Sequence, residues 1–126
     1  MPLYNKIGEN NSFLIVVIQA IWNMKTLRNY IMNDMVIKED NEKHAFIVNL
    51  RAILKRYQQT LNSPQINSPL NIDKLRKSLS ELFQNKRKFL PEQPDDPIDL
   101  YFAIINLLHS HYIVIIILYR IQTYLR

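Results

Sequence analysis

The chain has 126 residues, enough for one small domain with a modest core. Hydrophobic residues make up 48% and charged residues 21%, an ordinary globular balance, and the formal net charge is +5. The absence of cysteine excludes a disulfide framework, a thiolate zinc site and a thiol nucleophile, and a single glycine argues against glycine-rich phosphate loops.

The polar approach Tyr4-Asn5-Lys6-Ile7-Gly8-Glu9 leads into Asn10, Asn11 and Ser12, and an apolar run begins at Phe13. Asn and Ser are preferred at helix N-caps because their side-chain oxygens accept the unpaired amide hydrogens of the first turn. Gly8 can supply the positive φ that a tight turn into a helix needs. A helix is therefore expected over about 12–24, apolar nearly all round and so buried, with Ser12 at its mouth. There the helix dipole favours negative charge, and capping alone is a sufficient reason for a serine. No secretory signal precedes the apolar run, which points to an intracellular protein, cytoplasmic or nuclear.

Thr26 is expected to cap a short second helix through Leu27, Tyr30 and Ile31, and 33–41 reads as a polar connection. From about 42 to 61, Phe46, Leu50, Ile53, Leu54, Tyr57 and Leu61 recur at spacings of three and four, the mark of an amphipathic helix. Lys43, Arg51, Lys55, Gln58 and Gln59 fall mainly on its wet faces. Two Ser-Pro pairs make 62–71 a loop, since proline removes a donor and restricts the residue before it. Asn71 offers the next cap, followed by a stripe of Ile72, Leu75, Leu79, Leu82 and Phe83. A connection over 84–93 exposes Lys86 to Lys88. Asp96-Pro97-Ile98-Asp99 is a helix start, with aspartate at the cap and proline at the first position. Leu100, Phe102, Ile104, Ile105, Leu107 and Leu108 fill the helix that follows. Asp95 and Asp96 read as helix-cap residues, with no metal or acid/base constellation around them.

The basic clusters, Arg51/Lys55/Arg56, Lys74/Arg76/Lys77 and Lys86/Arg87/Lys88, read as solvated helix faces. No nucleic-acid motif accompanies them, and no nucleic-acid partner is expected. Eight consecutive apolar residues, Tyr112 to Tyr119, mark the tail, and the stretch 98–119 is about long enough to span a bilayer. Asp99, Asn106, His109 and His111 would each cost insertion energy there.

Gly8-Glu9-Asn10-Asn11-Ser12-Phe13-Leu14, then Ile18-Gln19-Ala20-Ile21-Trp22, resembles the nucleophile box of the ubiquitin-specific proteases, in a variant branch reading G-E-N-N-C-F-L-N-x-x-I-Q-x-L-W. A second block, Leu75-Arg76-Lys77-Ser78-Leu79-Ser80-Glu81-Leu82-Phe83, then Phe89, Asp95, Asp96 and Asp99, resembles that family's LRKALSELF … F … DDAxE segment. The two blocks lie within residues 4 to 112, in the family's order. Ser12 stands at the position of the nucleophilic cysteine, and Ile15 replaces an asparagine.

The resemblance implies an all-α chain of about five helices, the helical subdomain of a papain-like cysteine protease fold. Residues 1–112 would form that part, and 113–126 an apolar tail matching no known pattern. It implies deubiquitination as the family role, and ubiquitin or other proteins as partners of the helical surface. Asn5 and Asn10 are the candidates for an oxyanion-hole position. No cofactor and no metal is called for.

A serine hydroxyl is far harder to ionise than a thiol, so it needs a positioned base and an oxyanion hole. The only histidines are His44, His109 and His111. Ser110-His111-Tyr112 matches the family's Gly-His-Tyr box at two positions but lacks its glycine and flanking pattern. A catalytically inactive, truncated relative is the leading expectation. The alternatives are one fragment of an active deubiquitinase, completed by another chain that brings the histidine, and a small helical adaptor anchored in a membrane through 98–119.

Overall fold

A computed structural model describes residues 10–35, 42–62 and 71–109. They form five α-helices: α1 (Ser12–Asn23), α2 (Lys25–Asn29), α3 (Glu42–Asn62), α4 (Asp73–Leu82) and α5 (97–109). A π-helical turn, Tyr30–Asp34, continues α2, and a 3-10 turn, Gln84–Lys86, follows α4. No strand occurs among the described residues, so the chain is all-α as expected. Asn5, Gly8, His111, most of the Ser-Pro loop and the tail 113–126 lie outside the described residues.

The hydrophobic cluster draws on every helix except α2: Phe13, Leu14, Val17, Ile18 and Ile21 from α1, Phe46, Ile47, Leu50 and Leu54 from α3, Leu75 and Leu79 from α4, and Leu100, Ile104 and Leu108 from α5. Each such side chain contributes about 1.5–3 kcal/mol when fully buried. α1 is not buried all round, however. Ser12, Val16 and Ala20 recur every fourth residue on an exposed stripe, and Val16 is 51% exposed. Apolar content does not itself cover a face; a neighbouring element must lie over it.

Met24 separates α1 from α2 by taking extended geometry (φ −98°, ψ 91°). Arg28 then folds back over the end of α1. Its Nη1 donates to the Trp22 carbonyl at 3.0 Å, and its guanidinium carbon lies 4.7 Å from the Trp22 ring centroid. A cation is favoured at a helix C-terminus, where carbonyls lack intrahelical partners. Trp22 in turn meets the Tyr57 ring edge-on at 4.5 Å, tying α1 to α3. Thr26 lies inside α2 and does not cap it; the N-cap position is Met24.

Arg51 corrects the expectation of a wet face on α3. It is half-buried, with Nε donating to the Ile31 carbonyl at 2.7 Å and Nη2 donating to the Met35 carbonyl. It thus closes the C-terminal end of the π-helical turn. Between α3 and α4, Asn49 Nδ2 donates to Ser78 Oγ at 3.2 Å. Ahead of α4, Asn71 Oδ1 accepts the Asp73 amide hydrogen at 2.7 Å, reaching over Ile72, which holds the N-cap position.

α5 begins as its sequence predicts. Asp96 Oδ1 accepts the Ile98 amide hydrogen at 2.9 Å, with Pro97 at the first helical position. Leu100, Ile104 and Leu108 are buried in the core and Tyr101, Ala103 and Leu107 pack against it, whereas Phe102 is 59% exposed. Two residues along a helix is a rotation of about 200°, so Phe102 is turned away from the face that Leu100 buries.

Candidate functional site

The region singled out by sequence is the entrance to α1. Asn10 takes left-handed geometry with φ 54°, a conformation Asn tolerates better than most residues because its short polar side chain can bond locally. Its Nδ2 donates to the Glu92 carbonyl at 2.8 Å, across 82 residues of sequence. Asn11 is fully buried at the N-cap position, and its carbonyl accepts the Ile15 amide hydrogen at 3.0 Å. The Asn11 side chain makes no capping hydrogen bond. Ser12 is the first residue of α1 and is exposed, so it does stand at the helix mouth.

Phe13 points inward, and three residues of the second sequence block gather around it. Its ring stacks on Phe89 at 6.0 Å with 15° between planes, and Phe89 meets Phe83 edge-on at 5.1 Å. The Arg76 guanidinium carbon sits 4.7 Å from the Phe13 ring centroid. Arg76 is only 7% exposed, and its Nη2 donates to the Leu90 carbonyl and, at 3.0 Å, to the Gln93 carbonyl. A planar guanidinium can stack on a ring and donate along its edge at once, which a lysine cannot do.

Phe89 is held from both sides. Its φ of 55° is uncommon for a bulky residue. Asp95 Oδ2 accepts its amide hydrogen at 3.1 Å, and the Ser80 hydroxyl lies 2.8 Å from its carbonyl, facing the Arg76 carbonyl at 3.1 Å as well. Arg87 and Glu92, at φ 54° and 64°, are left-handed too. The connection between α4 and α5 is therefore a wound loop gripped by Arg76 and Ser80 from α4 and by Asp95 ahead of α5. Asp95 does not cap α5, whose cap is Asp96: its Oδ1 accepts the Asp96 amide hydrogen at 2.9 Å while its Oδ2 pins Phe89. Sequence periodicity missed Arg76 and Ser80 because it assigns charged and hydroxyl residues to water. Their common spacing of four along α4, in line with Phe83 beyond it, was the available signal.

A groove of about 610 Å³ opens beside this cluster, lined by Asn11, Arg76, Gln84, Leu90, Pro91 and Glu92 among others. Chemically the region offers a helix mouth and an exposed hydroxyl. His109 lines a different groove with Met24 and Lys25. Those residues follow the far end of α1, whose 12 residues put it roughly 18 Å from Ser12 at 1.5 Å per residue. His44 falls in the first turn of α3. Asn10 commits one of its amide hydrogens to the Glu92 carbonyl. Among the described residues, no three His, Cys, Asp or Glu side chains gather where they could hold a metal ion.

No protein-family model matches this chain, and no curated protein matches it either.

Proposed function

We propose that this chain is a non-hydrolytic relative of the ubiquitin-specific proteases, whose helical unit around the nucleophile position works through protein contacts. One observation supports the reading above the others. The two blocks that resemble that family's motifs meet in space, through Phe13 on Phe89 and Arg76 on Phe13. The loss of hydrolysis follows from chemistry. A hydroxyl at a helix mouth remains a hydroxyl near neutral pH unless a base takes its proton, and the one histidine whose side chain is among the described residues, His109, sits at the other end of α1. Ubiquitin or a ubiquitin-bearing protein in an intracellular setting is the partner class that goes with this reading.

A second reading has one observation in its favour. Ser12 is exposed, so another chain carrying a histidine could reach it, making this polypeptide one fragment of an active deubiquitinase. The membrane-anchored adaptor has less support: no helix among the described residues is long and apolar enough to cross a membrane.

Hydrolysis of a fluorogenic ubiquitin conjugate decides between these. The purified chain and its Ser12→Cys variant are expected to show no turnover. Cleavage by the unmodified chain alone would overturn the proposal. Turnover that arises only when a histidine-bearing second chain is added would establish the fragment reading instead.

A further inference from the structure

A second groove, of about 590 Å³, lies at the opposite end of α1 from Ser12. Leu27 and Tyr30 form one wall, Tyr101, Ile105 and Leu108 of α5 the other, and Met24 also lines it. Small-molecule sites are typically clefts of this size, mostly apolar, with a few polar groups that fix orientation. Among the described residues, the ionisable groups here are Lys25, His109 and the two tyrosine phenols, and no carboxylate lines the groove. Asp99, also on α5, lines a separate depression with Lys86 and Lys88. Arg28 is already engaged with the ring and carbonyl of Trp22. Lys25 is exposed and makes the groove's permanent charge positive.

We infer that this groove binds an anionic amphiphile: an apolar chain lies between α2 and α5 while its carboxylate head pairs with Lys25. The apolar walls select the chain, and the Lys25 ammonium, with no acid beside it among the described lining residues, selects the sign of the head group. An uncharged apolar ligand would leave Lys25 unused, and a cationic one would meet it with repulsion.

Three probes of equal chain length and different head groups test this on the full chain: dodecanoate, dodecanol and dodecyltrimethylammonium. Each is titrated below its micelle concentration by calorimetry. Dodecanoate is expected to bind saturably at one site, with the cationic probe weakest. Lys25→Glu should weaken dodecanoate about threefold, the scale of an exposed ion pair, and improve the cationic probe. Lys25 is exposed, so this variant keeps the fold. Leu27→Asp should abolish binding, with circular dichroism checking that the protein remains folded. Equal binding of all three probes, an unchanged response in Lys25→Glu, or no saturable binding would each overturn the inference.

Discussion

The guanidinium of Arg76 lies against the face of Phe13, 4.7 Å from the ring centroid. With this contact α4 fixes the first inward-facing residue of α1, and the same guanidinium donates to the Leu90 and Gln93 carbonyls. One side chain therefore holds both the helix entrance and the loop that packs on it. Arg76→Lys keeps the charge but loses the stacking and the double donation. Chemical denaturation should show a loss of about 1–3 kcal/mol, the range for buried charge-assisted hydrogen bonds. An unchanged midpoint would show that the contact is incidental.

Ser80 and Asp95 grip the two backbone groups of Phe89. Ser80→Ala leaves a buried carbonyl without its donor and should cost roughly 1–3 kcal/mol. Because both residues restrain the backbone of one residue, on either side of its Cα, the double variant with Asp95→Asn should not be additive. The coupling in a double-mutant cycle is expected to exceed about 0.5 kcal/mol.

Arg87 is exposed and held at φ 54°. Left-handed geometry costs an ordinary residue roughly 1–2 kcal/mol, and glycine avoids that cost while making the unfolded chain freer. Arg87→Gly should therefore be neutral to stabilising by up to about 1 kcal/mol. A clear drop in melting temperature would count against the loop geometry.

The facing of α5 can be tested by contrast. Ile104→Ala removes a fully packed side chain and should cost roughly 2–5 kcal/mol. Phe102→Ser, on the exposed side, should stay within about 0.5 kcal/mol of the parent. The reverse order would mean that α5 is rotated.

Much of this fold is legible in the sequence where a single periodic cue decides. The stripe from Phe46 to Leu54 gives α3, and Asp96-Pro97 gives the start of α5, because spacing and cap chemistry act locally. What was missed depends on partners distant in the chain. Arg51 looks wet until the carbonyls of Ile31 and Met35 are brought to it. Phe102 looks like core until the direction of its helix face is known, and Val16 until its neighbours are. At the entrance to α1, Ser12 stands at the helix mouth as its type suggests. Asn10 has a positive φ and is held by a bond to Glu92 that no local pattern encodes; Gly8 lies outside the described residues.

The chain has one tryptophan, and Trp22 sits where α1, α2 and α3 converge, under Arg28 and against Tyr57. Its indole emission is thus a built-in optical gauge of that junction. Separating the helices would strip away both the cation and the phenol ring, and the spectrum would shift without any label having been attached.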